Sequence, residues 1–119
     1  MSKILIVDDI RSEVQLITNV LKPEGYDCLQ ASNGIEAMER ARAEQPNLIL
    51  LDIVMPGQDG FSTCRQLKRD PATKDIPVVM VSLKDGESDR FWARKQGASE
   101  YVTKPFTPDD LVSLVKRYA

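Results

Sequence analysis

The middle of the chain reads Leu48-Ile49-Leu50-Leu51-Asp52, which is four consecutive apolar residues that end on a carboxylate. A continuous apolar run of this kind is typical of a parallel strand that is buried on both faces. In an open sheet of such strands, the ligand site lies just beyond the carboxyl ends of the strands. Asp52 is therefore predicted to follow a buried strand and to border a binding crevice.

Three other apolar runs also end on polar residues that can bind a phosphate or a metal ion. Lys3–Val7 runs into Asp8 and Asp9, Val78–Val81 runs into Ser82, and Tyr101–Thr103 runs into Lys104 and Pro105. If the four runs are neighbouring parallel strands, the carboxylates, the hydroxyl and the ammonium group converge on one site. Each residue taken singly has an ordinary structural explanation: a capping acid, a strand-end hydroxyl or a surface lysine. Their joint occurrence at the strand ends favours a functional site.

Helix-like segments separate the apolar runs. Asn33 resembles an N-cap with Glu36 three residues later, and Thr107 followed by Pro108 is a well-formed helix start. Gly97 is predicted to end the helix over 87–96. The residues predicted to face inward at helical spacing are Ile10, Val14, Ile17 and Leu21 in the first helix, Ile35, Met38 and Ala41 in the second, Phe61, Cys64 and Leu67 in the third, and Leu111, Leu114, Val115 and Tyr118 in the last.

Strands and helices alternate as five βα units, which predicts a single α/β domain over residues 1–119 with a parallel five-stranded sheet between two layers of helices. The flavodoxin-like, doubly wound strand order 2-1-3-4-5 puts the first and third strands side by side. Asp8, Asp9 and Asp52 should then meet. The less apolar run Tyr26–Ala31 is predicted to be an edge strand.

The composition argues against several classes of function. The net charge is −2 and there is no basic block, which disfavours nucleic acid as a partner. No apolar run has the length of a membrane span and no signal peptide is recognised, so no membrane contact and a cytoplasmic location are expected. Cys28 and Cys64 have no metal-type spacing and are expected to be reduced, half-buried residues. The chain contains no histidine, so it has no His-based triad or His metal site and cannot donate a phosphoryl group from phosphohistidine.

The acids point to metal-dependent phosphoryl chemistry. Adjacent carboxylates such as Asp8 and Asp9 repel each other and suit a hard divalent ion, Mg²⁺ or Mn²⁺, that takes oxygen ligands. Asp52 beside such an ion could attack a phosphoryl group and become an aspartyl phosphate. The Lys104 ammonium and the Ser82 hydroxyl would help to neutralise the phosphoryl oxygens.

The whole chain resembles a receiver domain of bacterial two-component response regulators. The pieces that carry the resemblance are Ile4–Asp9, Leu51–Pro56, Gly60, Ser82 and Lys104–Phe106. The resemblance implies that a sensor histidine kinase phosphorylates Asp52, and that Mg²⁺ is held by Asp8, Asp9, Asp52 and the Val54 backbone carbonyl. The remaining implied features are a phosphoryl contact by Lys104, a cis peptide bond at Lys104–Pro105, a switch hydroxyl on Ser82, and an aromatic ring, Tyr101, that turns inward on activation.

By the same resemblance, the chain catalyses only its own phosphorylation and dephosphorylation and is otherwise not an enzyme. Phosphorylation is expected to change protein–protein contacts through the face formed by the fourth helix, the fifth strand and the fifth helix. No output domain is recognised, so a phosphate sink or shuttle is an alternative role. The stretch Asp89–Ala98 is similar to stand-alone receivers of pilus-motility and phototaxis chemotaxis-like systems, and Phe91 or Trp92 within it is expected to be exposed.

Three other functions are alternatives. A haloacid-dehalogenase-like phosphatase also uses an Asp nucleophile, but it needs a second acid two residues later, where this chain has Val54. A nucleotide-binding doubly wound domain needs a glycine-rich loop after the first strand, where this chain has Asp8-Asp9-Ile10-Arg11-Ser12. A pseudo-receiver that acts without phosphorylation is disfavoured by the intact set of acid, hydroxyl and lysine.

One position departs from the receiver pattern. The residue after the switch hydroxyl is usually small in receiver domains, whereas here it is Leu83, followed by Lys84. A leucine beside the site could obstruct water and small phosphodonors. The hypothesis is that these two residues modify access, so that small donors phosphorylate the chain slowly and the phosphoryl group is long-lived.

Overall fold

Five parallel strands form the central sheet of the computed structural model, which describes residues 2–55 and 57–119. Their order is β2-β1-β3-β4-β5, as predicted. The strands are β1 (Lys3–Val7), β2 (Asp27–Ala31), β3 (Leu48–Leu51), β4 (Val78–Ser82) and β5 (Glu100–Thr103). The run that begins at Tyr26 is confirmed as an edge strand, one residue shorter than predicted.

Five helices cover the two faces of the sheet. They are α1 (Arg11–Leu21), α2 (Gly34–Glu44), α3 (Gly60–Arg69), α4 (Glu87–Lys95) and α5 (Pro108–Tyr118), with one 3₁₀ turn at Lys22–Glu24 after α1. Side chains alternate across each strand. In β3, Leu48 and Leu50 therefore pack with α1 and α5, while Ile49 and Leu51 pack with α2, α3 and α4. Both faces of β3 are buried, which is the reason for its continuous apolar run.

The predicted helix caps are confirmed. The Asn33 side chain accepts a hydrogen bond from the Glu36 N–H, and the Thr107 side chain accepts one from the Asp110 N–H. Gly97 follows α4 with a φ of +98°, a backbone conformation that glycine adopts without a steric penalty. These local signals place the helix ends independently of the tertiary packing.

Three predictions about burial are wrong in detail. Ile10 is 50% exposed because α1 begins one residue later, so Ile10 occupies the N-cap and lies outside the apolar stripe. Ile35 is 71% exposed because α2 begins at Gly34, and this register turns Ala37 inward in its place, together with Met38 and Ala41 as predicted. Cys64 is fully buried, although it was expected to be only half-buried.

Neither cysteine of the chain forms a disulfide in the structure. No helix among the described residues combines the length and the apolar character that crossing a membrane would require.

Candidate functional site

The carboxyl ends of β1 and β3 place the predicted acids side by side. Val7 pairs with Leu51 in the parallel ladder, and the Asp52 N–H donates to the Val7 carbonyl at 3.0 Å. Asp8 and Asp52 are therefore the first residues beyond two paired strand ends. This adjacency follows from the strand order, in which β1 and β3 are neighbours at the point where the order reverses.

Three carboxylates form a cluster at this edge. Asp8, Asp9 and Asp52 each offer one oxygen, and these oxygens all lie within 4.8 Å of one another. Asp8 and Asp52 are buried, whereas Asp9 is exposed to solvent. An all-oxygen set with one member open to water fits a hard divalent cation that keeps several water ligands. The cluster could therefore hold Mg²⁺.

Burial is the main influence on the Asp52 carboxyl. It raises the pKa of Asp52 above its usual range, and the nearby Asp8 charge adds to that effect. The Lys104 charge and the N–H groups of Ile53 and Val54 act in the opposite direction and do not compensate fully. A cation close to Asp52 would stabilise its ionised form, which is the form that can act as a nucleophile.

Lys104 lies at the edge of the acid cluster. Its Nζ is 3.0 Å from Asp8 Oδ2 and 3.6 Å from Glu13 Oε2. Burial alone lowers the pKa of Lys104, but the hydrogen bond to Asp8 and the charges of Asp52, Asp8 and Glu13 outweigh it, so the pKa is raised. Lys104 thus remains an ammonium cation close to the position where a phosphoryl group on Asp52 would carry negative charge.

The backbone holds Lys104 in this position. The Lys104 N–H donates to the Ser82 carbonyl at 2.8 Å, which continues the pairing of β5 with β4. The peptide bond between Lys104 and Pro105 is cis.

Ser82 and Tyr101 are linked through the loop that follows β4. Ser82 is buried at the end of β4, and its Oγ accepts a hydrogen bond from the Lys84 N–H at 3.3 Å. The Tyr101 hydroxyl donates to the Lys84 carbonyl at 2.6 Å. The side chain of Leu83, which lies between Ser82 and Lys84 in sequence, is 75% exposed. Lys84 thus contacts both the hydroxyl at the end of β4 and the aromatic ring on β5.

Gly60 lets the loop after Asp52 return closely to the strand end. The Gly60 N–H donates to the Ile53 carbonyl at 2.7 Å. A Cβ atom at this position would overlap the Asp52 carbonyl oxygen and lie 2.7 Å from Ile53 Cα. Glycine is thus required here by the backbone of the candidate phospho-acceptor. Val54 is exposed in the same loop, and Pro56, the last residue of the predicted motif, lies outside the described residues.

Two residues near the site were missed by the sequence reasoning. Glu13 approaches Lys104 from α1, and the Arg90 guanidinium lies 5.1 Å from the centroid of the Tyr101 ring. Neither has a local sequence signal, because both contacts depend on how a helix packs beside the sheet.

The parallel sheet, its strand order and the cluster of acids with a lysine at its carboxyl edge define a phospho-acceptor signalling domain. The chain belongs to the response regulator receiver domain family, whose model matches residues 4–116. The family is a signalling family, and its members act as phospho-acceptors.

Known relatives cover nearly the whole chain. Protein PilH of Pseudomonas aeruginosa is 44% identical over 115 residues, which are 97% of this chain and 95% of PilH. The response regulator PleD of Caulobacter vibrioides is also 44% identical, over 93% of this chain but only 24% of PleD. Among solved structures, the chemotaxis protein CheY4 of Vibrio cholerae superposes with a TM-score of 0.94 at 28% identity, covering 100% of this chain and 99% of CheY4.

Proposed function

We propose that the chain is a phosphorylation-controlled switch in which Asp52 accepts a phosphoryl group from the phosphohistidine of a sensor kinase. The observation that carries the proposal is the meeting of Asp8, Asp9 and Asp52 in one cluster with Lys104 at its edge. Membership of the receiver family implies a histidine kinase as phosphodonor and downstream partners in general. The identity of the acceptor residue is the specific part of the proposal.

The transfer would proceed by attack of an Asp52 carboxylate oxygen on phosphorus. The new bond is between this oxygen and phosphorus, and the bond that breaks joins phosphorus to one imidazole nitrogen of the donor, which leaves as neutral imidazole because its other ring nitrogen carries a proton. Asp8, Asp9, Asp52 and the Val54 carbonyl would hold Mg²⁺, which when bound neutralises charge on the transferring group. Lys104 supplies a fixed positive charge beside the group, and this charge requires no proton movement.

The readout would run through Ser82 and Tyr101. In this proposal the Ser82 hydroxyl would bond a phosphoryl oxygen on Asp52, and that bond would compete with the one it now accepts from the Lys84 N–H. The Tyr101 hydroxyl donates to the Lys84 carbonyl, so a shift of the loop that contains Lys84 would move the Tyr101 ring. The affected surface is a cleft of about 620 Å³ between α4, β5 and α5, lined by Arg90, Tyr101 and Arg117 among others. A change of shape there would change which protein partner binds.

The similarity to full-length relatives supports a role for the switch in a signalling pathway. The chain matches PilH and CheY4 along nearly the full length of both proteins, and CheY4 is described as a chemotaxis protein. We infer that this chain acts in a chemotaxis-type signalling pathway and that its output is a protein contact.

Phosphotransfer profiling against the histidine kinases of the host tests the proposal. The wild-type chain should be labelled rapidly by one kinase in the presence of Mg²⁺, and Asp52→Asn should not be labelled. Asp75→Asn is the matched control, because Asp75 is exposed in the connector before β4 and its loss removes the same charge. Retained labelling of Asp52→Asn would exclude Asp52 as the acceptor.

A further inference from the structure

The surface formed by α3 and α4 carries two exposed aromatic rings. Phe91 and Trp92 are about half exposed, and their ring centroids are 5.8 Å apart in an edge-to-face arrangement. Trp92 lines a cleft of about 340 Å³ together with Phe61 and Arg65 of α3. Contiguous exposed apolar surface of this kind marks an interaction site more often than isolated apolar residues do.

This α3–α4 surface is separate from the face through which Tyr101 would act. Helix α4 packs against α3 on one side and against β5 on the other. Arg90 faces Tyr101 on the β5 side, whereas Trp92 faces the α3 side. Helix α4 thus presents two different surfaces. The surface on the β5 side is linked to Ser82 through the hydrogen bonds of Tyr101 and Ser82 with Lys84.

Cations border the exposed rings. Lys95 Nζ lies 5.4 Å from the centroid of the Phe91 ring, and the Arg65 guanidinium makes a 3.5 Å contact with the Ser62 hydroxyl. Within residues 2–55 and 57–119, neither Arg65 nor Lys95 forms an ion pair with a carboxylate. Among the described residues, the one carboxylate that lines the cleft, Asp59, caps α3 by accepting the Ser62 N–H at 2.8 Å, and it sets a single negative charge against the two cations. The surface therefore offers apolar contact area flanked by positive charge.

The charge selects among occupants. Across a symmetric interface this surface would face a copy of itself, and its two cations, Arg65 and Lys95, would outnumber the carboxylate that lines the cleft, Asp59, so positive charge would remain uncompensated. Nucleic acid requires a broader basic surface than this chain of net charge −2 provides. We propose that the α3–α4 surface binds an acidic segment of a partner protein, whose large apolar side chain packs in the cleft beside Trp92 and whose carboxylates pair with Arg65 and Lys95.

A displayed library of random peptides, selected on the unphosphorylated wild-type chain without Mg²⁺, tests this proposal. The enriched peptides should be acidic and should carry at least one large apolar residue. Their affinity should fall at least about tenfold for the double variant Arg65→Glu/Lys95→Glu, since two charge pairs are reversed. The double variant Lys22→Glu/Arg43→Glu changes the net charge equally at exposed positions on other elements, and it should bind as the wild type does.

A second readout locates the binding. Trp92 is the single tryptophan of the chain, so a saturable shift in its emission reports contact at this surface. Circular dichroism of both double variants confirms folding. The proposal is overturned if no peptide is enriched, if the enriched peptides are basic or neutral, if both double variants lose binding equally, or if a single-stranded oligonucleotide shifts Trp92 emission and the acidic peptides do not. Because phosphorylation is not involved, failure here leaves the proposed role of Asp52 unaffected.

Discussion

Replacing Gly60 by alanine should damage both the stability of the fold and the reactivity of Asp52. The added Cβ would overlap the Asp52 carbonyl oxygen and lie 2.7 Å from Ile53 Cα, whereas ordinary contacts begin at 3.4 Å. The obstacle is backbone, which cannot rotate away, so the end of β3 must retreat by at least about 0.7 Å. Overpacking of this kind costs about 1–3 kcal/mol of the free energy of unfolding. A displacement of about 1 Å at a reacting group lowers the rate by up to roughly 100-fold.

Gly34→Ala is the matched control for this substitution. Gly34 is the first residue of α2, as Gly60 is of α3, so the change in helix propensity is the same in both variants. The nearest atoms to a Cβ at Gly34 would be side-chain atoms rather than backbone: the end of the Gln58 side chain, which can change rotamer, and the hydroxyl of the buried Thr63. We therefore expect a smaller loss of stability and a nearly normal phosphorylation rate for Gly34→Ala.

Two assays compare the variants. Urea unfolding followed by far-ultraviolet circular dichroism gives the free energy of unfolding, and phosphate-affinity electrophoresis gives the rate of phosphorylation by acetyl phosphate with Mg²⁺. The difference between Gly60→Ala and Gly34→Ala isolates the effect of the backbone overlap. If the two variants agree within about 0.5 kcal/mol in stability and react at the same rate, the assignment of a backbone clash beneath Asp52 is wrong.

Three further predictions concern the metal, the access residue and pH. Mg²⁺ at about 100 times its dissociation constant should raise the free energy of unfolding of the wild type by about 2.7 kcal/mol. The same Mg²⁺ concentration should raise the free energy of unfolding of Asp9→Asn by a smaller amount. An equal increase in both proteins would show that Asp9 is not a ligand. Leu83→Ala should lose its phosphoryl group faster than the wild type, measured as autodephosphorylation, and equal or slower loss would contradict an obstructing role for Leu83. Burial raises the pKa of the Cys64 thiol from 9.0 to about 11. The contribution of this thiol to the free energy of unfolding is therefore fully present below pH 9, and about 2–3 kcal/mol of it is lost as the pH rises toward 11. Cys64→Ala should show a shallower loss over the same interval in urea unfolding, and an identical loss would exclude this thiol as the cause.

The fold was predictable because its signals are local. The apolar runs that became β1, β3 and β4 are buried on both faces, and such burial requires continuous apolar sequence. The caps Asn33 and Thr107 bond N–H groups three residues away, so they too can be recognised without tertiary information. Periodicity was less reliable at helix starts. Ile10 and Ile35 have the spacing of inward residues, yet each lies where the helix begins and the register carries it to the surface.

The residues of the candidate site were predictable as a set, but their contacts were not. Each strand end could be recognised from its own run, and strand order then put Asp8 and Asp52 on neighbouring strands. The distance from Lys104 to Asp8 joins residues 96 positions apart and depends on the packing of β5 and α1 against the same edge. The Tyr101 bond to the Lys84 carbonyl likewise depends on the path of a loop.

Sequence alone therefore determined the elements, their alternation as five βα units and the identity of the polar residues at the strand ends, because apolar runs and caps act over short stretches of chain. The tertiary structure decided the burial that raises the pKa of Asp52, the pairing of Lys104 with Asp8 and Glu13, and the backbone contact that excludes a side chain at Gly60. It also brought the exposed Phe91 and Trp92 rings into edge-to-face contact and set the Lys95 ammonium over the Phe91 ring. These properties arise from distances between groups that are remote in sequence, and such distances exist only once helices and sheet have packed.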